Sequence, residues 1–441
     1  MSQVVVKIED LSPVKKKMSL EIPWSEVKGE LDAAYQEIGK KAKLKGFRQG
    51  KIPRKILETY FKDQAENEAS TNIVNKYYWQ TLEDKGIIAI SRPDVHQEGI
   101  KENADYTFSA TFETEPEIEP KNYKGIELEK EKIIVTDEDV RKRVDEIRQM
   151  FATMEEVTDD RPVMKGDYVV MDFSGSLNGE SYKELNAQDY FLEIGSGKFV
   201  PGFEDQLVGM KKGENREIKV KFPADYHESR FADKEVVFNV TVKSMREKRL
   251  PEDDDSFIKN FERYNTFDDF KADVRKSLEE KAEQMSKVNL QNSITDKLIK
   301  ENDFEVPESM VERQIFFMMA EMQKRMMSAG IDENSAIDFS LKMHDKYKGD
   351  AEKTVKAFLL LKKIGTKESL TVEDSDLDQY IQEMAAQNGH DYDSMKKMYE
   401  SEEKKDYLRI ELIQKKVFDF IEQNANIKVV EKTGMNAEAK Q

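Results

Sequence analysis

Gly46-Phe47-Arg48-Gln49-Gly50-Lys51-Ile52-Pro53, set among Lys40, Lys41, Lys43, Lys45, Arg54 and Lys55, is a positive island in a chain of 441 residues with a formal net charge of −18. Glycines at Gly46 and Gly50 free the backbone to turn sharply, and Pro53 can open a helix because the first helical N–H needs no partner. The stretch predicts a tip between two helices, from which an apolar ring (Phe47) and a guanidinium (Arg48) protrude together. That pairing suits a surface that grips both a protein patch and RNA phosphates.

Working outward, 4–8 and 18–22 read as short strands about a turn at Leu11-Ser12-Pro13, the second by alternation of Met18, Leu20 and Ile22. Ser25 is expected to cap a helix with the stripe Val27, Leu31, Ala34 or Tyr35, and Ile38. After the loop, a short helix that holds Ile56, Leu57 and Tyr60 leads to a longer one over 63–84, with Ile73, Tyr77 and Leu82 inside and Gly86 at its end. Strands are expected at 87–95 and 106–112. Residues 1–118 thus read as an α+β domain whose helices carry the loop away from a small sheet.

Composition sets outer limits. An acidic surface repels phosphate, so any contact with RNA must be local. There is no cysteine, which excludes disulfides and thiolate metal sites. His96, His227, His344 and His390 are scattered without ligand spacing, and no metal is expected. No Walker loop is present, so no nucleotide cofactor is expected. The first ten residues lack a signal-peptide core, and no stretch approaches the ~20 apolar residues of a membrane span. A soluble, cytosolic protein is expected.

The stretch 113–123, rich in acid and proline, reads as an exposed, extended connection. In a linker over 119–160, Thr136-Asp137-Glu138-Asp139 resembles a capping box, and Val140, Val144, Ile147, Phe151 and Met154 form an amphipathic stripe that must lie against another part of the protein. Residues 161–250 read as a mostly β unit. Strands at 167–174 and 190–194 flank the hairpin dipeptide Asn178-Gly179, a short helix covers 201–208, and strands follow at 214–222 and 235–245.

Pro251 and the acidic run 252–255 mark a boundary, and 251–432 read as an all-α domain with arm-like long helices. Thr266-Phe267-Asp268-Asp269 opens the first helix, with Phe270, Val274, Leu278, Ala282, Met285 and Leu290 at helical spacing, and Pro307 opens the next. Further helices are expected at 351–367, 374–388 and 402–424, a short strand at 427–430, and a disordered tail over 433–441. Phe316, Phe317, Met318, Met319, Met322 and Met326 are candidate client-binding residues, because an unbranched thioether repacks against many apolar segments. The same stripe also fits a helix core.

Two sets of motifs carry a family resemblance. Gly46-Phe47-Arg48-x-Gly50-x-x-Pro53, at this distance from the N-terminus, resembles the signature of the trigger factor family of bacterial ribosome-associated chaperones, with Gln49 where that family often has lysine. The resemblance implies that Gly46, Phe47, Arg48, Gln49, Gly50, Lys51 and Pro53 bind ribosomal protein and RNA near the nascent-chain exit tunnel. Val169-Val170-Met171-Asp172-Phe173-Ser174-Gly175, Val200-Pro201-Gly202-Phe203-Glu204-Asp205 with Gly209 and Gly213, and Val237-Phe238 resemble FKBP-type prolyl isomerases. That likeness implies a proline pocket of Phe173, Tyr182, Tyr190, Phe199, Val200, Phe203, Tyr226 and Phe238, in which the Val200 N–H holds a substrate carbonyl. Lys183 replaces an acidic residue common in single-domain members.

Together the resemblances imply an ATP-independent chaperone, multidomain α+β in fold, that docks at the exit tunnel, shelters unfolded and nascent chains and isomerises X-Pro bonds. A homodimer of the free protein is a further candidate state, since an empty apolar concavity is costly to expose. Two other readings stand beside this one. One is a free cytosolic FKBP-type isomerase with partner-binding helical domains, against which the Phe47-Arg48 tip argues. The other is a scaffold with an idle isomerase-like domain, against which Phe173, Phe203 and Phe238 argue together.

Overall fold

The structure, a computed structural model, describes residues 4–226 and 228–435. His227 and the end of the expected tail, 436–441, lie outside the described residues. In chain order the elements begin with β1 (Val5–Ser12), β2 (Lys15–Ile22), α1 (Trp24–Lys41), α2 (Arg54–Tyr60), α3 (Lys62–Lys85), β3 (Asp94–Gln97), β4 (Tyr106–Glu113) and β5 (Glu127–Ile134). Next come α4 (Asp137–Met150), β6 (Thr153–Glu156), β7 (Asp167–Leu177), β8 (Glu180–Glu193), α5 (Phe203–Leu207), β9 (Asn215–Lys221) and β10 (Glu235–Arg249). The rest are α6 (Asp255–Ile258), α7 (Phe267–Glu301), α8 (Glu308–Ser328), α9 (Glu333–Lys342), α10 (His344–Lys367), α11 (Asp374–Asn388), α12 (Tyr392–Met398), α13 (Glu402–Gln423) and β11 (Asn426–Thr433). The chain forms two compact units, 1–130 with 288–428 and 131–287 with 429–441.

In the first unit, β1-β2-β4-β3 make an antiparallel sheet. The pairs Met18↔Ala110, Leu20↔Phe108 and Ile22↔Tyr106 put the alternating apolar residues on one face, where they pack on Ile73, Tyr77, Tyr78 and Leu82 of α3 and Val27 of α1. Several expectations are corrected. The β1–β2 turn falls at Pro13-Val14. Ser25 does not cap α1; Pro23 stands at the N-cap, and the Trp24 N–H donates to Asp105 Oδ1 at 2.8 Å. Most of 87–95 is irregular apart from an Ala89–Thr114 bridge.

The stretch 113–123 is not an exposed connection. Glu113, Thr114, Pro116, Pro120 and Tyr123 are buried, and Tyr123 packs with Leu290, Leu360 and Val417. The Glu113 carboxylate accepts the N–H groups of Glu308 (3.2 Å) and Ser309 (2.8 Å), supplying the cap that Pro307 cannot give α8. Val311, Ile315 and Met319, spaced by four, pack on Ala351, Val355 and Leu359 of α10. Gly365 lets α13 approach α10, since a Cβ there would sit 3.1 Å from Ile413 Cγ2 and 3.3 Å from Val417 Cγ2. The helices α6, α9 and α12 were not foreseen; each is three turns or fewer, too short for a periodic signal.

In the second unit the sheet runs β6-β10-β7-β8, with β9 also on β10. Asn178 (φ 51°) and Gly179 (φ 85°) adopt the left-handed conformation that their hairpin requires. Thr136 makes both bonds of its capping box with Asp139. Val140 and Val144 of α4 pack on Phe257, Ile258, Phe267, Phe270 and Val274. Phe151 falls just beyond α4 but continues the stripe, its ring meeting Phe257 at 5.5 Å and Phe261 at 5.2 Å, whereas Met154 lies in β6 and is exposed. β11 pairs with β5 and runs to Thr433, past the expected strand and into the stretch read as tail. No helix among the described residues is long and apolar enough to cross a membrane.

Candidate functional sites

Alternation along β7 sends Val169, Met171 and Phe173 inward, and Phe173 becomes the hub of an aromatic cluster. Its ring meets Tyr190 (5.4 Å), Phe199 (5.5 Å), Phe238 (5.7 Å) and Phe203 (6.1 Å) edge to face. Phe203 on α5 and Phe238 on β10 are 0% and 1% exposed, and Phe173 is 9% exposed. These three form the base, while half-buried Tyr190, Phe199 and Val200 form the accessible rim. Phe199 lies over Phe203, with centroids 4.0 Å apart.

Tyr182 and Tyr226 are not brought into this ring. Tyr182 meets Phe231 at 5.4 Å, and Tyr226 meets Phe222 at 4.7 Å. Phe222 stands 6.4 Å from Phe238 and so links the two groups. The sequence reading missed Phe222 and Phe231. Phe222 extends the inward alternation of Ile218 and Val220 and could have been found that way; Phe231 lies in a loop with no periodic signal. Lys183 is exposed.

The loop from β8 to α5 is held by a carboxylate that the sequence reading also missed. Glu204, buried at 7% exposure, accepts the N–H groups of Gly195 (2.7 Å) and Gly197 (3.0 Å) on Oε2. On Oε1 it accepts the Phe199 N–H (3.1 Å) and the Ser196 hydroxyl (3.4 Å). Burial alone would raise its pKa, but the N–H groups of Gly197, Phe199 and Gly195 and the Ser196 hydroxyl hold it below the usual range. Ser196 N–H goes to the Glu193 carbonyl and Lys198 N–H to Ser196 Oγ. Along 195–200 only the Val200 N–H meets no protein acceptor among the described residues.

The basic loop joins α1 to α2, with Gly46 at φ 96° and Gly50 at φ 78°. Phe47, Arg48, Gly50, Lys51 and Pro53 are exposed. Gln49 folds back, its Nε2 donating to the Lys40 and Lys41 carbonyls at 3.3 and 3.5 Å, so it serves the C-terminus of α1. Arg54 is engaged too, 3.7 Å from the Tyr35 ring centroid, 3.0 Å from Asp32 and 2.7 Å from Glu58. Lys40 and Lys41 pair with Glu37. Lys43, Lys45, Arg48, Lys51 and Lys55 are exposed without an ion-pair partner among the described residues.

Of the candidate client residues, Phe316 and Phe317 are 61% and 58% exposed. Met318, Met322 and Met326 are half-buried. Met319 is 4% exposed and belongs to the α8–α10 core, which corrects its reading as client surface. No three His, Asp or Glu side chains among the described residues are grouped to hold a metal.

Comparison with known proteins bears on these sites. Residues 4–147 match the bacterial trigger factor protein family, 266–423 its C-terminal region, and 159–243 the FKBP-type peptidyl-prolyl cis-trans isomerases. The trigger factor of Syntrophus aciditrophicus (strain SB) is 47% identical over 430 residues, 97% of each chain. The chain belongs to the trigger factor family. A second trigger factor, from Geotalea uraniireducens (strain Rf4), is 36% identical over 97% of this chain and 99% of its own. A solved structure described as "Promiscuous Substrate Recognition in Folding and Assembly Activities of the Trigger Factor Chaperone" covers 95% of this chain at 20% identity, with a TM-score of 0.46. Within the trigger factor architecture, the basic loop falls in the N-terminal match, the whole aromatic cluster in the FKBP-type match, and Phe316 to Met326 in the C-terminal match.

Proposed function

We propose that this trigger factor is an ATP-independent chaperone that docks at the ribosomal exit tunnel through the 46–53 loop, shelters nascent chains and isomerises X-Pro bonds at the aromatic cluster. The observation that carries the docking is the exposed Phe47–Arg48 tip with Lys43, Lys45 and Lys51 unpaired around it, on a chain whose net charge is −18. Those cations are available to phosphate, and Phe47 adds apolar contact with protein.

Isomerisation requires no proton transfer. The barrier of about 18–20 kcal/mol comes from amide resonance, and it falls when the twisted amide is bound better than the planar one. The Phe173, Phe203 and Phe238 base under the Phe199 and Tyr190 rim offers a dry surface for a pyrrolidine ring. The unpartnered Val200 N–H lies at that rim, where it can hold the carbonyl of the residue being turned. Shelter of clients falls to exposed apolar side chains such as Phe316 and Phe317, which remove client surface from water at ~25 cal/mol per Å².

The test is co-sedimentation with salt-washed bacterial ribosomes, wild type beside a Phe47→Ala, Arg48→Ala double variant, with peptide isomerisation measured on both. Wild type should pellet, and less so as salt rises; the variant should stay in the supernatant with turnover intact. Wild type left in the supernatant at low salt would make a free isomerase the better account.

A further inference from the structure

We infer that Glu204 is a positioning residue for isomerisation: its buried carboxylate clamps the 195–199 backbone and thereby fixes the Phe199 ring and the Val200 N–H against the aromatic base. The inference rests on the isomerase reading above and extends it to a residue that touches no substrate.

The argument starts from how unusual the arrangement is. A carboxylate at 7% exposure is normally neutralised by a cation, yet four hydrogen bonds to Glu204 come from the five residues 195–199, three of them from backbone N–H groups. Gly195 (φ 94°) and Gly197 (φ 69°) take left-handed conformations that turn their N–H groups onto the same oxygen. The loop thus wraps around the carboxylate, and its conformation depends on both oxygens being acceptors.

Two consequences reach the site. The Phe199 main chain is held by its own N–H on a charged acceptor, which fixes the Cα from which its ring reaches Phe203. The next residue, Val200, is the one whose N–H the loop leaves without a protein partner. Glu204 directly follows Phe203, so one turn of α5 supplies both the floor of the cluster and the clamp on its rim.

Glu204→Gln tests the clamp while keeping shape. Whichever way the amide is turned, its NH2 faces N–H donors, either those of Gly195 and Gly197 or that of Phe199. A loop that spends a tenth of its time in the competent state raises the apparent substrate constant about tenfold without changing the chemical step. In the full-length protein, Glu204→Gln is therefore expected to raise KM for a proline peptide about tenfold, with kcat within about twofold and amide exchange over 195–199 faster by about tenfold. Exchange across β7 should stay as in wild type. Ser196→Ala, which removes only the 3.4 Å bond and the acceptor for Lys198, is the milder variant, and should shift KM the same way by less.

A fall in kcat at unchanged KM, or faster loop exchange with unchanged turnover, overturns the clamp. If Glu204→Gln fails to fold, Ser196→Ala decides by the same two readouts. Wild type without turnover would instead overturn the isomerase reading, an outcome separate from either result for the clamp.

Discussion

Phe238 lies directly across the β7–β10 ladder from Gly175, and a Cβ on Gly175 would come within 2.8 Å of its ring and 2.6 Å of Leu185 Cβ. The glycine is thus what allows Phe238 to lie flat over the strand backbone and reach Phe173 and Phe203. Gly175→Ala should push the ring off the base, at about 1–3 kcal/mol for overpacking, and lower peptide kcat/KM by about tenfold or more, since each 1.4 kcal/mol is a factor of ten. Denaturation and peptide turnover measured side by side check it. Full activity would mean that Phe238 does not shape the pocket.

Arg48 and Arg54 lie six residues apart in one basic segment, and the structure gives them opposite circumstances. Arg54 stacks on Tyr35 and pairs with Asp32 and Glu58, whereas Arg48 is exposed and unpaired among the described residues. Arg54→Ala should cost about 1 kcal/mol of stability through the lost cation–π and ion-pair contacts, with ribosome affinity nearly unchanged. Arg48→Glu should leave stability within about 0.5 kcal/mol and abolish pelleting with ribosomes. A loss of binding free energy in Arg54→Ala about half that in Arg48→Glu would show that the segment acts only through its net charge, since the first removes one unit of charge and the second two.

Asp167, at 4% exposure, receives a forked bond from Arg161 (2.6 and 2.9 Å) and the Met164 N–H at 2.8 Å. Burial would raise its pKa, but Arg161 and Met164 outweigh that and hold the carboxyl below the usual aspartate value. Its folded pKa is therefore below its unfolded one. The stabilisation is complete above the unfolded value, near pH 4, and disappears as pH falls through the lowered folded value. Asp167→Asn should cost about 1–3 kcal/mol at pH 7, and wild type and variant should converge in strongly acidic solution. Chemical denaturation followed by amide exchange across β7 measures both; a difference that persists at acid pH would show the cost to be packing alone.

Local chemistry made much of this legible. Alternation at Met18, Leu20 and Ile22, the Thr136 capping box and the Asn178-Gly179 turn each specify geometry from neighbours in the chain, and the structure contains them as read. What stayed hidden depends on partners distant in sequence. Glu113 looked like linker acid until α8 arrived with two uncapped N–H groups 195 and 196 residues later. Gln49 looked like a lost cation, but its amide serves carbonyls of α1. The split of the eight pocket candidates, with Tyr182 and Tyr226 apart from the Phe173 ring, follows Phe222, which ends the alternation of Ile218 and Val220, and Phe231, which lies in a loop where no periodicity operates.

The phase of α8 shows the same limit and gives the last test. Phe316, Phe317 and Met319 are all large and apolar, so composition cannot rank them; only the packing of α10 against Val311, Ile315 and Met319 turns Met319 inward and the two phenylalanines outward. Phe316→Ser with Phe317→Ser removes exposed surface and should leave stability within about 1 kcal/mol, while the concentration needed to suppress aggregation of a refolding substrate protein, followed by light scattering, rises about thirtyfold, since two side chains at about 1 kcal/mol each weaken client binding by about 2 kcal/mol. Met319→Ala should do the reverse, costing about 2–4 kcal/mol of stability from the cavity it opens and leaving shelter intact at temperatures where the variant is folded. Undiminished shelter in the double serine variant would move the client surface elsewhere on the chain.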